Sequence, residues 1–369
     1  MRWLLDIDRR IIFLLVLVLI VLATVLQDRI EFPIVSSSPV DGVYDAIDGL
    51  PAGSPVLLSM DYDPASQAEL EPMNRAVLRH LFRKDLRITG MTHWPRGLNF
   101  VEQVVQSTAR EFDDLSVEVR TFDSKKAATD HLALVKTKPD EAAKVKAQLA
   151  TVNIGRERAE APIQYEPRLY TLLDEVEKGL AAEPFEQGAK HHVLTVVERK
   201  PTKEYGKDYC YLGVRLGAAI LIINMGQSLF DAFPADKYGT PTRELAGQGK
   251  VLEGVSKLGD FKYLMVVAAG ISAEQWIIYG SQKYGFPMGV GCTAVMAPDL
   301  YPYLNSKQIT GILGGAKGAW EYEAKIRVPD KATSRVPAQT MAHVLVILLV
   351  IFCNVAYLMV GRSKPPGAR

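Results

Sequence analysis

KYLMVVAAGISAEQWIIYGSQKYGFPMGVGCT, residues 262–293, decides how this chain folds. Lys262 to Ala269 is a continuous apolar run closed by Gly270, the composition of a strand covered on both faces. Ser272 follows, with Gln275 three residues on, the spacing of a capping box. The helix it opens carries Trp276, Ile277 and Tyr279 and stops at Gly285, after which Pro287 starts a strand through Thr293. Strand, helix and strand joined by such short turns make one βαβ unit, which implies parallel strands with helices on the sheet faces.

The same grammar extends outward. Upstream, a short helix over Val40–Leu50 leads through Pro51-Ala52-Gly53 to an apolar strand, Pro55–Met60. The loop Asp61-Tyr62-Asp63-Pro64 follows, then a helix from about Glu71 with Pro72 at its first position and Met73, Val77, Leu78 and Leu81 on one stripe. Leu86–Thr92 reads as a second strand, stopped by His93-Trp94-Pro95, and Leu98–Phe112 as a helix. Ala218–Asn224, AAILIIN, reads as a further buried strand. The expectation is an α/β, Rossmann-like, mainly parallel sheet domain in two halves, 55–112 and 206–328. Between them lies the most heavily charged stretch of the chain, 113–205. In it Asp123–Ala150 and Glu166–Ala182 read as helices, Lys138-Pro139 interrupts the first, and His191–Val197 reads as a strand. It is expected to be a charged helical insertion, a solvated face in the first instance and an arm toward a partner subunit in the second.

Apolar segments frame this domain. Ile11–Leu26 is sixteen residues without a charge, between Arg9-Arg10 and Asp28-Arg29. At roughly 24 Å it is slightly short of the hydrocarbon core, and the flanking side chains can snorkel to cover the difference. No A-x-A-like cleavage site follows, so the segment reads as an anchor over 11–27 rather than a cleaved signal. Met341–Val360 is a second span of twenty residues, with His343 and Asn354 its polar guests. The tails, 1–10 and 361–369, carry Arg2, Arg9, Arg10, Arg362, Lys364 and Arg369, while 28–54 and 329–340 act as linkers. Basic tails favour a cell-membrane protein with both termini cytoplasmic and the large domain extracytoplasmic.

Composition narrows the function classes. A formal net charge of +1 removes the electrostatic case for a nucleic-acid partner. Three cysteines, none in a C-x-x-C pair, give neither a disulfide framework nor a zinc or thiol-redox motif. Cys353 falls in the second span, and Cys210 and Cys292 are left open as paired or free.

In an open parallel sheet, ligands bind beyond the carboxyl ends of the strands. The residues expected there are Asp61 and Asp63, Thr92 and His93, Asn224, Gly226 and Gln227, Gly270 and Ser272, and Thr293, Asp299 and Tyr301. Asp299-Leu-Tyr-Pro-Tyr303 is expected to be a loop projecting Asp299, Tyr301 and Tyr303. Asp61-x-Asp63 after an apolar strand can present two carboxylates to one hard cation such as Mg²⁺. The arrangement resembles the first motif of haloacid-dehalogenase-type phosphatases and the strand-plus-DxD of nucleotide-sugar glycosyltransferases. It departs from the phosphatase pattern at Ala65, where Thr or Val is expected. Against the metal reading stands a plain one: Asp63-Pro64 starts a turn, and Asp61 caps a helix or pairs with an Arg.

Gly289-Val-Gly291-Cys-Thr-Ala294 has the spacing of a dinucleotide fingerprint, but Pro298 blocks a helix that would open on it. Gly311, Gly314, Gly315 and Gly318 read as a helix from Asn305 or Ser306 onward, with two i,i+4 glycine pairs suited to close packing on the sheet, to an interface between copies or to a hinge for ligand closure. No G-x-S-x-G or H-E-x-x-H occurs. The expected function is therefore a membrane-anchored binding or scaffold component that associates with itself or with other membrane subunits, with room for a small-molecule ligand and no resident cofactor. The alternative is a phosphoryl- or glycosyl-transferring enzyme using Mg²⁺ at Asp61 and Asp63.

Overall fold

A computed structural model describes Val18 and residues 34–122, 124–137, 148–151 and 191–362. The first expected span, the helix expected over 166–182, the break at Lys138-Pro139 and both tails lie outside these residues, apart from Val18 and from Gly361 and Arg362.

Six strands form one all-parallel sheet: β1 (Pro55–Asp61), β2 (Arg87–Thr92), β6 (Tyr209–Val214), β7 (Tyr263–Ala268), β8 (Met288–Cys292) and β9 (Gly311–Gly314). Their order across the sheet is β6-β2-β1-β7-β8-β9. Counted by first appearance in this sheet, that is 3-2-1-4-5-6, the order in which a doubly wound sheet reverses direction between its first and fourth strands. The reversal falls between β1 and β7, paired from Val56↔Tyr263 to Asp61↔Ala268.

Helices cover both faces, which is why β1 is buried at all seven positions although its side chains alternate. Val56, Leu58 and Met60 join a core built with α1 (Ser38–Asp48), α2 (Gln67–Arg83), α3 (Leu98–Arg110) and α9 (Gly315–Lys325). Leu57 joins the opposite core, made with α5 (Ala218–Gln227), α6 (Leu229–Ala232), α7 and α8 (Ala297–Asn305). Helix α7 is composite: Ser272–Gln275, a π-helical turn Trp276–Ser281, and a last turn Gln282–Tyr284. Burial leaves both Cys210 and Cys292 as free thiols, pushed up to about 12 by desolvation.

Several local expectations need correction. Ala218–Asn224 belongs to helix α5, and the first strand of this half is Tyr209–Val214 just before it. A short apolar run fits either state, and Gly217, at φ 82°, turns the chain from one to the other. The glycine-rich stretch is not one helix: Gly311–Gly314 is strand β9 beside β8, and α9 starts only at Gly315, at φ 62°. Asp299–Tyr303 is helical, part of α8, which accepts Pro298 in its first turn and Pro302 inside. Helix α2 begins at Gln67, four residues before the expected start, and carries Pro72 internally. The missing Pro72 amide leaves the Ala68 carbonyl to accept from Arg335 Nη1 at 3.5 Å.

The insertion is not purely helical. Among the described residues it holds a three-stranded antiparallel sheet, β4-β3-β5, from β3 (Asp114–Phe122), β4 (Gln148–Thr151) and β5 (His191–Lys200), with helix α4 (Lys125–Thr137). The alternation Leu115, Val117, Val119, Thr121 is a period-two signal that the abundance of charge obscures.

One described helix is long and apolar enough to cross a membrane: α10 (Lys331–Arg362), whose candidate span is Lys331–Phe352. Its first turns are fixed to the domain. The buried carboxylate of Glu323 accepts the amides of Asp330 (3.0 Å), Ala332 (3.1 Å) and Thr333 (2.8 Å) and the Thr333 hydroxyl (2.6 Å), satisfying donors that a helix start otherwise leaves open. Arg79 bridges Asp330 (2.8 Å) and Glu111 (2.6 Å), and Lys331 meets Glu71 (2.8 Å).

Candidate functional site

Strand β1 ends in Asp61, a carboxylate 1 % exposed. Burying such a charge requires hydrogen-bond donors, and the neighbouring elements supply four. Ser59, two residues back on the same face of β1, donates to Oδ2 at 2.7 Å, and Ser272 donates to the same oxygen at 2.6 Å. On Oδ1 converge the Thr92 hydroxyl (3.2 Å) and the His93 amide (2.8 Å) from the end of β2. Gly270, at φ 87°, makes the turn that starts α7 directly after β7 and so carries Ser272 back over β1. Ser272 is the first residue of that helix; its hydroxyl is spent on Asp61, and the expected capping box is not formed.

Above this network lies His93. Its ring stands 5.2 Å from that of Trp276, which is fully buried and donates its indole N–H to Ser59 Oγ at 3.2 Å. Neither ring nitrogen of His93 makes a hydrogen bond, and Nε2 lies 3.9 Å from Asp61 Oδ2. Burial lowers the His93 pKa, outweighing the opposite pull of the Asp61 carboxylate, so the ring is neutral near pH 7. His93 also forms part of the wall of a cleft of about 970 Å³ at the carboxyl edge of the sheet. The wall draws on three strand ends: Trp94, Pro95 and Arg96 after β2, Leu216 to Ala218 after β6, and Ala269 to Ser272 with Gln275 after β7. That is the crevice beside the β1/β7 reversal.

The cleft is mostly carbon, with His93, Arg96, Ser272 and Gln275 as polar points, a lining suited to a small molecule with an apolar body and one polar group. Because the Ser272 hydroxyl donates to Asp61 and not to His93, the three residues do not form a nucleophile–base relay.

Of the expected site residues, Asp61, Thr92, His93 and Ser272 come together. Asp63 stands apart from the cleft: its Oδ1 accepts the amides of Ala65 (3.1 Å) and Ser66 (3.3 Å), closing an Asx turn into α2. Gln227 is at the far end of α5, next to Gly226, which packs against Tyr284 of the last turn of α7. Thr293 follows β8 outside the cleft wall, and Asp299 and Tyr301 sit exposed on α8. Among the described residues, no three His, Cys, Asp or Glu side chains group to hold a metal ion. The glycines make their close contacts within the chain. A Cβ on Gly311 would stand 2.2 Å from Pro39 O in α1, one on Gly314 3.2 Å from Ala297 Cβ, one on Gly315 2.7 Å from Glu69 Oε1, and one on Gly318 2.8 Å from the Leu313 carbonyl carbon.

Sequence reasoning missed Trp94, Arg96, Gln275, Trp276 and the segment 216–218 as site residues. It also passed over Ser59, whose signal was present: the one hydroxyl in an otherwise apolar strand. The chain matches no protein-family model, no curated protein and no solved structure.

Proposed function

We propose that this chain is a membrane-anchored binding component: a Rossmann-like domain that takes a small ligand in the cleft beside the β1/β7 reversal and works within an assembly of membrane subunits or of copies of itself. The observation that carries this reading is His93, a buried imidazole in the cleft wall with both nitrogens lacking a protein partner. A buried polar group without a partner is costly, and a ligand atom reaching the cleft supplies one. The anchor in this reading is α10 together with the segment 11–27, with both termini cytoplasmic and the domain outside the cytoplasm. The enzymatic alternative at Asp61 and Asp63 has no comparable support, since donors of the chain itself already engage both carboxylates.

A test is to purify the full chain in mild detergent, record its native mass and co-purifying subunits, and screen small molecules by thermal shift against wild type and Ala218→Trp, which fills the cleft. The expected result is a defined assembly and a stabilising ligand whose effect Ala218→Trp and His93→Ala both abolish. A lone monomer that no compound stabilises through the cleft refutes the reading.

A further inference from the structure

Helix α10 leaves the domain at one particular edge of the sheet. Its contacts climb α2 in reverse order: Asp330 meets Arg79, Lys331 meets Glu71, and Arg335 reaches the carbonyl of Ala68. The two helices therefore run antiparallel. Ala68 lies in the first turn of α2, directly after β1, so α10 leaves the domain at the carboxyl edge of the sheet. Val336 and Pro337 are the last buried residues of the helix among those whose burial is described, and the uninterrupted apolar run starts at Met341. Met341 lies six helical steps beyond Arg335, about 9 Å along the axis. The headgroup region on each side of a bilayer is about 5–8 Å deep.

The loops at that edge have a matching composition. After β2, β6, β7 and β8 stand Trp94, Leu216, Ile271 and Val295, exposed by 47, 73, 65 and 82 %. Each follows a different strand. The loops entering β1, β2, β7, β8 and β9 from the opposite edge carry no exposed Val, Leu, Ile or Trp. Apolar side chains left in water on one edge only mark a surface made for another phase.

We propose that the carboxyl edge of the sheet lies against the bilayer that holds α10, with Trp94, Leu216, Ile271 and Val295 seated at its interface and the cleft opening on to the headgroup layer. This rests on the reading of α10 as a membrane span. Tryptophan and aliphatic tips at headgroup depth gain the burial that water denies them.

The test reconstitutes the full chain in phosphatidylcholine vesicles with or without acyl chains brominated near the headgroup. The fluorescence lost on Trp94→Phe isolates Trp94 from Trp3, Trp276 and Trp320. Trp94 emission is expected to lose most of its intensity in brominated vesicles, while a tryptophan at the opposite edge, Ala52→Trp read as the emission it adds to wild type, keeps its own. Ile271→Trp in the otherwise native chain, read as the emission it adds to wild type, is a second probe on another loop; it does not depend on the folding of Trp94→Phe and should behave as Trp94 does. Alkaline carbonate extraction separates the two premises. If carbonate strips the chain from the vesicles, the span itself is refuted. If the chain stays in the membrane but neither probe is quenched, this inference alone is overturned. Probes that are shielded from water only at high protein density, without quenching by bromine, overturn it too, in favour of a second copy on that edge.

Discussion

Replacing Asp61 by Asn tests the network at the end of β1 at its centre. The amide keeps the shape of the carboxylate but turns one acceptor oxygen into a donor and removes the charge. Whichever way the amide is placed, donors face it: Ser59 and Ser272 at 2.7 and 2.6 Å on one side, Thr92 and the His93 amide at 3.2 and 2.8 Å on the other. The His93 amide cannot reverse, so the carbonyl of the new side chain must stay on that side, and the NH₂ group meets the two serines. Their hydroxyls can rotate to accept, but Ser59 already accepts from Trp276, and each rotated proton needs another acceptor in a dry site. Hydrogen bonds to a charged group contribute about 1.5–3 kcal/mol each; with part recovered by rotation, the net loss is about 3 kcal/mol. For a domain of this size class that lowers Tm by roughly 6–12 °C. The assay is thermal unfolding of the full chain in detergent, with and without Mg²⁺. A Tm within 1–2 °C of wild type, corresponding to less than about 0.5 kcal/mol, would refute the claim that the carboxylate holds these elements together. Stabilisation of wild type by Mg²⁺ that the variant loses would return the metal reading to the site.

Three further outcomes follow from other parts of the molecule. Burial lowers the His80 pKa to about 4, against an unfolded value near 6.5. The unfolded chain takes a proton that the folded one refuses, so stability should be flat above about pH 6.5 and fall by up to about 3 kcal/mol as pH drops toward 4, with His93 adding in the same direction. His80→Gln should flatten this part of the denaturation profile. Gly311→Ala would put a methyl group 2.2 Å from Pro39 O and 2.5 Å from Val43 N, both backbone atoms, and should destabilise by about 1–3 kcal/mol in chemical unfolding. Removing the Glu323 carboxylate by Glu323→Ala leaves three amides at the start of α10 without an acceptor; it should cost about 2–4 kcal/mol and raise hydrogen exchange at Asp330, Ala332 and Thr333.

The legible part of this fold was the part with one reading per stretch. Pro55–Asp61 and Tyr263–Ala268 are apolar runs of strand length, rich in Val and Leu, and the turn that closes each is marked by Asp-x-Asp-Pro or Gly. Ala218–Gln227 failed because a helix against one sheet face and a strand under two helices can share a composition, and Gly217 alone does not choose between them. Gly311–Gly318 failed because spacing was read without the neighbour: Gly311 is small because Pro39 and Val43 of α1 press on β9, a contact 268 or more residues apart in sequence. The site was half visible for a similar reason. Strand ends can be listed from the chain, so Asp61, Thr92, His93 and Ser272 were found, but the cleft also needs the approach of β6 to β2, which no local pattern encodes.

Glu323, Arg79 and Glu71 give α10 a further property. A helix joined to a domain by a loose linker can lean without the domain noticing. Here the first turn of a 32-residue helix is clamped by three carboxylate or guanidinium contacts from α9 and α2, and the helix continues into the apolar segment through Pro337, which has no amide to give the Thr333 carbonyl. The arrangement is a lever fixed at its base, with Pro337 as the one point along the exit where it can bend. Transmembrane helices tilt by about 20° on average and respond to bilayer thickness; on the proposed reading of α10 as a span, a change of tilt that the turn at Pro337 does not absorb would rotate the six-stranded sheet, and with it the lip of the cleft.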